Sequence, residues 1–116
     1  MVRQAEDLEL TPKMADVIKV FLEDTERPRY GLELMRITGQ PSGTLYPNLA
    51  KFERAGWLAG DREEVDPKAE GRPPRRIYHI TGAGVAAARQ QLAELSERYR
   101  PPVVGRARPA FRGGIV

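Results

Sequence analysis

The sequence predicts a mainly α-helical domain with one small β-hairpin set before its last helix. Three observations predict it: apolar residues recur at helical spacing in separate segments, the pattern changes to short β-prone stretches after Gly56, and a basic, breaker-rich loop lies between those stretches. At 116 residues the chain has room for one modest core.

Thr11-Pro12 reads as N-cap and first helical position, because proline loses nothing where its N–H would be unpaired anyway. Met14, Val17, Ile18 and Phe21, with Leu22, then fall on one helical stripe that runs to about Leu22. A polar connector ends at the breaker Pro28. A second helix is expected from about Tyr30 to Ile37, with Leu34 and Ile37 inward and Met35 flanking. The run from Thr38 to Gly43 stops it and turns the chain.

A third helix is expected from roughly Thr44 to Ala55, where Leu45, Leu49 and Phe52 share one side and Gly56 provides the stop. Pro47 has to sit in or near its first turn, which leaves Ser42, Gly43 or Thr44 as the cap. Trp57–Ala59 and Arg76–Ile80 read as strands flanking the loop from Asp66 to Arg75, which holds three prolines. Thr81 caps a final helix, Gly82–Arg98, that Pro101-Pro102 ends. Within it Val85, Ala88, Leu92, Leu95 and Tyr99 are spaced 3, 4, 3, 4, a short heptad seam. The expected organisation is an arm over 1–9, a helical and hairpin domain over 10–81, a dimerisation helix over 82–100 and a flexible basic tail over 101–116.

Composition narrows the chemistry. The formal charge is only +3, but its distribution is uneven. Met1 to Asp66 carries 9 basic and 13 acidic residues, Pro67 to Glu97 carries 5 and 3, and Arg98 to Val116 has five arginines and no acid. A polyanion would therefore be met locally, in the C-terminal half; a solvated arginine-rich tail is the plain alternative. With no cysteine, disulfides, thiolate metal sites and cysteine nucleophiles are excluded. No apolar run approaches the ~20 residues of a membrane span, and the N-terminus lacks a secretory apolar stretch, so a soluble cytoplasmic protein is the default expectation. His79 stands alone in an expected strand without a paired carboxylate, which argues against an enzyme. Glu63, Glu64 and Asp66 read as solvated acids at the loop base rather than metal ligands, and nothing calls for a cofactor or metal.

Helix, helix, sharp turn, helix, then two strands around a basic loop is the order of a winged helix-turn-helix, whose third helix fits the major groove of double-stranded DNA. Opposite the apolar side of the third helix lie Gly43, Pro47, Lys51 and Arg54, with Thr44 and Asn48 on one shoulder and Tyr46 on the other. No acid occupies that outer arc; Glu53 lies near the apolar edge. Thr44 and the helix-start amides can donate to a phosphate, Tyr46 offers a second donor, and Asn48 and Lys51 are the candidate base readers. The wing loop offers Lys68, Arg72, Arg75 and Arg76, with Pro73-Pro74 stiffening it towards a minor groove. A winged helix turned to protein–protein contact is the rival reading.

Ser42-Gly43-Thr44-Leu45-Tyr46-Pro47, followed by Leu49, Glu53, Gly56 and Trp57-Leu58, resembles the recognition-helix signature of the PadR family of bacterial transcriptional regulators. The run from Gly71 to Thr81 is similar to that family's wing and second strand, and Gly84 fits the start of the helix after it. Tyr30 to Leu34 resembles the second-helix motif, with Leu32 where many members have tyrosine, so that Tyr30 is the candidate substitute. The resemblance covers about Leu10 to Leu95. It implies a homodimeric repressor of the compact type on a palindromic operator, responsive to an unspecified small-molecule effector. The expected DNA-binding set is Tyr30, Ser42, Thr44, Tyr46, Pro47, Asn48, Lys51, Arg72, Arg75 and Arg76. The expected dimer contacts are the seam residues Val85, Ala88, Leu92, Leu95 and Tyr99; packing of that seam on its own domain is the alternative.

Overall fold

The computed structural model describes residues 4–103; residues 1–3 of the expected arm and 104–116 of the expected tail lie outside the described residues. In chain order the elements are α1 (Pro12–Glu23), β1 (Arg29–Tyr30), α2 (Gly31–Thr38), α3 (Ser42–Arg54), β2 (Leu58–Arg62), α4 (Pro67–Glu70), β3 (Arg76–Ile80) and α5 (Gly82–Arg98).

Local chemistry explains the boundaries. The Thr11 hydroxyl accepts from the Met14 N–H at 3.2 Å and Pro12 takes the first turn of α1. Thr81 caps α5 in the same way, accepting from the Gly84 N–H at 2.8 Å. The connector before α2 is held by Glu33, which accepts from the Arg27 and Arg29 guanidinium groups at 2.9 and 2.8 Å and from the Tyr30 N–H at 3.3 Å.

The core forms where the helical stripes and the inner sheet face meet. Val17, Ile18 and Phe21 of α1, Leu34 of α2, Leu45, Leu49 and Phe52 of α3, and Trp57 are all shut off from water. Burying each large apolar side chain is worth roughly 1.5–3 kcal/mol before the entropic cost of ordering it. The sheet is antiparallel in the order β1-β3-β2, with Tyr30 opposite Ile77 and Leu58 opposite Ile80. Its alternation buries Tyr78 and Ile80 and leaves His79 exposed.

Several expectations need correction. The sheet has three strands rather than two, because Arg29 and Tyr30 pair with β3 before the chain enters α2. Helix α3 begins at Ser42 with Pro41 as N-cap, one residue before any of the expected caps. Pro47 is consequently the sixth helical residue and lies in the second turn. Its missing N–H leaves the Gly43 carbonyl without a helical donor, which is tolerable because Gly43 is exposed to water. The wing is not a bare loop: Asp66 accepts from the Lys68 N–H at 3.0 Å, Pro67 starts α4 and Gly71 closes it in the left-handed region. Ile37, expected inward, is half exposed, whereas Val20 joins the core and Leu22 only flanks it.

The last helix is anchored to the same core. The Thr81 hydroxyl donates to the Gly56 carbonyl at 2.7 Å, and a side chain on Gly84 would strike the Trp57 carbonyl oxygen at 2.2 Å. Ala88 is fully buried in the chain's own core, which corrects its place in the expected dimer seam: it has no surface to offer a second chain. Val85, Leu92 and Leu95 are half-buried against that core, while Tyr99 is 75% exposed. Within the arm, Glu6 and Leu8 are tied down as well. The Glu6 N–H donates to the Ala55 carbonyl, the Trp57 indole donates to the Glu6 carbonyl at 2.6 Å, and the Gln91 side-chain amide pairs with both backbone groups of Leu8.

The close approach at Gly84 is testable by paired substitutions. Gly84→Ala forces a methyl into backbone that cannot yield and should cost about 1–3 kcal/mol in urea denaturation. Gly82→Ala, whose added carbon meets nothing within 4 Å, should be neutral or stabilise by ~0.4–1 kcal/mol. Equal stability of the two variants would contradict the packing described.

Candidate nucleic-acid interface

Helix α3 presents one side to the core and the other to solvent. Ser42, Gly43, Tyr46, Pro47, Lys51 and Arg54 are exposed, and Thr44 and Asn48 are half-buried on the shoulder. The helix contains a single acid, Glu53, and that carboxylate is occupied: it accepts from the Arg76 guanidinium at 2.7 Å. The exposed outer side therefore carries cationic and neutral donor groups only, with the positive end of the helix dipole at Ser42–Thr44.

Tyr46 leans from α3 onto the start of α2. Its ring and hydroxyl fill the space a side chain on Gly31 would need, the hydroxyl lying 2.1 Å from that position. Glycine at 31 is thus what lets the Tyr46 ring occupy the helix–helix corner. Together Tyr46, Tyr30, Gly31, Leu32, Arg75 and Arg76 line a shallow groove of about 220 Å³. The groove joins α3, the entry to α2 and the wing on one side of the molecule.

At the base of the wing Glu63 is the hub. It accepts from the Arg72 guanidinium at 2.6 Å and 3.3 Å, from the Tyr30 hydroxyl at 2.6 Å and from the Arg75 N–H at 3.3 Å, while its own N–H donates to the Arg75 carbonyl at 2.8 Å. Only 9% of its side chain is exposed. The Arg72 and Tyr30 donors hold the Glu63 carboxyl down to about 2, against an ordinary 4.5. The same bond pushes the Tyr30 hydroxyl up, because losing its proton would place two anions side by side. Arg75 completes the cluster, its guanidinium 5.5 Å from the centre of the Tyr30 ring.

Of the residues expected to face DNA, Ser42, Tyr46, Pro47, Lys51 and Arg75 are exposed, and Thr44 and Asn48 partly so. Arg72, expected to reach outward, turns back onto Glu63 instead. Arg76 turns onto Glu53 and stacks 5.6 Å from the Tyr78 ring, and Tyr30 spends its hydroxyl on Glu63. The expectation that Glu63 is a solvated acid is corrected by the same contacts. Sequence reading also missed Arg29, which is 5% exposed and paired with Glu33, and the buried Gln40, which donates to the Lys13 carbonyl at 2.9 Å.

Three helices with an outward third helix, followed by a sheet with a basic wing, define a winged helix-turn-helix. Solved chains share the fold. Smu.1704 of Streptococcus mutans matches with a TM-score of 0.60 at 22% identity, over 84% of this chain and 86% of that one. MepR, a transcription regulator of the Staphylococcus aureus multidrug efflux pump MepA, matches with a TM-score of 0.62 at 11% identity, over 92% and 73%. Reduced AbfR, solved bound to DNA, matches with a TM-score of 0.59 at 23% identity, over 80% and 61%.

The chain belongs to the transcriptional regulator PadR-like family, which residues 20–94 match. Transcriptional regulator Rv3488 of Mycobacterium tuberculosis is 37% identical over 71 residues, 61% of this chain and 62% of that relative, so the chain spans less than two thirds of its length.

The hub makes a pH prediction. Its carboxyl is depressed on folding, so its contribution is complete above the ordinary 4.5 and is lost as pH falls towards about 2. The Glu63 side-chain carbon followed by NMR should titrate near the lower value in the wild type, and in Arg72→Ala should move up towards 4.5. A wild-type midpoint already near 4.5 would show that the hub does not form in solution.

Proposed function

We propose that this protein is a sequence-specific double-stranded DNA-binding transcriptional regulator, a homodimeric repressor acting on a palindromic operator. The observation that carries the reading is the outer side of α3, where Ser42, Tyr46, Pro47 and Lys51 are exposed and the one carboxylate of the helix is bound to Arg76. Membership of a family of transcriptional regulators and the fold shared with AbfR, solved bound to DNA, support it.

In this reading α3 enters the major groove. The Thr44 hydroxyl and the first amides of α3 hold a phosphate, as does Tyr46 from the neighbouring corner, while Lys51 and Asn48 address base edges, lysine through guanine acceptors and asparagine through adenine. Arg75, stacked on Tyr30, is the wing residue directed at the flanking duplex. The dimer uses the last turns of α5 and the segment after it, where Tyr99 and Val103 are exposed and Leu92 and Leu95 are only half-covered by their own core. Two copies related by a twofold axis then present their α3 helices to half-sites about 34–36 Å apart. A small-molecule effector would act by changing that separation.

The test is affinity for a duplex that the purified protein selects from a random pool, measured across a salt series together with the stoichiometry of the complex. Two chains per duplex and a steep loss of affinity with salt are expected. Lys51→Ala should cost ~1–3 kcal/mol on the selected site while its thermal stability stays at the wild-type value. Failure to select any duplex would refute the reading, and full affinity in Lys51→Ala would remove that residue as a base reader.

A further inference from the structure

Resting on the DNA-binding reading above, we infer that Glu63 and Arg72 are positioning residues: they brace the wing against β1 so that Arg75, and not Arg72, is presented to the duplex. The brace crosses the fold. Glu63 follows the end of β2, Arg72 lies beyond α4 on the far side of the wing, and Tyr30 belongs to β1 at the entrance to α2. One carboxylate joins the three, with donors at 2.6 Å from both Arg72 and Tyr30. It also closes the wing's backbone, since the Glu63 and Arg75 main chains are bonded at 2.8 Å.

Charge accounting separates the two arginines. The Arg72 side chain is 26% exposed and its guanidinium makes a two-point contact with a carboxylate, so its charge is neutralised where it stands. Glu70 lies a further 3.8 Å from it. Arg75 is exposed, and its neighbour is a neutral ring rather than an anion, which leaves its full charge for a phosphate or a narrow groove. The ring it rests on is itself held by Glu63 through the Tyr30 hydroxyl. Glu63 thereby fixes the platform of Arg75 as well as the backbone that carries it.

The sign of one substitution decides the matter. If the wing acts only through its summed charge, Glu63→Gln removes an anion beside DNA and tightens binding. If Glu63 braces the wing, the same change loosens it, by roughly fivefold on the scale of a well-made surface ion pair. The duplex is the one selected by the wild-type protein from a random pool, and thermal melting accompanies each variant. Arg72→Lys keeps the charge but not the two-point contact, and should bind as weakly as Arg72→Ala with the wild-type salt slope. Arg75→Ala should lower that slope by about 0.9 per lost phosphate contact. Tighter or unchanged binding in Glu63→Gln, or full affinity in Arg72→Lys with a reduced slope in Arg72→Ala, would overturn the inference while leaving DNA binding intact. A wild-type protein that selects no duplex would overturn the DNA-binding reading and this inference with it.

Discussion

Three side chains on one side of α3 carry the whole arrangement. Leu45, Leu49 and Phe52 are fully withdrawn from water against α1, α2 and Trp57, and the Phe52 and Trp57 rings meet at 5.4 Å. Because a helix has only one inward side, anchoring these three dictates that Gly43, Pro47 and Lys51 point away from the core. The outward surface is thus a consequence of packing and needs no separate device to hold it. Losing that anchor by truncating Leu49 would leave a cavity costing a few kcal/mol, and the outer residues would lose their fixed direction with it.

Electrostatics then finishes what packing begins. Two acids beside the candidate interface, Glu53 and Glu63, are each consumed by an arginine from the wing, Arg76 and Arg72. Each pair removes a repulsive charge from the surface; Glu53–Arg76 ties β3 to α3, and Glu63–Arg72 spans the wing, which the Tyr30 hydroxyl joins to β1. The cost is that two of the basic residues counted in the wing are not free. The approach to a polyanion is left to Lys51, to the exposed Lys68 and Arg75 of the wing, and to the amides at the start of α3, a smaller set than the composition of the loop suggests.

Much of the fold was legible because its signals are local and repeated. Thr11-Pro12 and Thr81 announced their helices, the apolar spacing of α3 located its buried side, and β3 and α5 run over the expected residues. The rest is hidden where a signal is short or where partners meet only in space. The two residues of β1 are too few for any alternation to show. Asp66-Pro67 and Gly71 are a cap, a first turn and a stop, yet among so many breakers they read as loop. In sequence Glu63 is one acid in a cluster of three, since nothing in the chain indicates that Tyr30, 33 residues earlier, will donate to it. Ala88 continued a heptad seam on paper, but the seam's spacing cannot tell which of its members turn inward to their own domain.

The outer side of α3, with Arg75 beside it, is the surface that should lie against a duplex. Backbone amide shifts recorded by NMR as a selected duplex is added test it most directly. The largest changes should fall on Ser42, Gly43, Thr44, Tyr46 and Lys51, with a second group around Arg75, while the amides of α1 stay in place. Changes that skip residues 42–51 and gather instead on α5 and the N-terminal arm would contradict it.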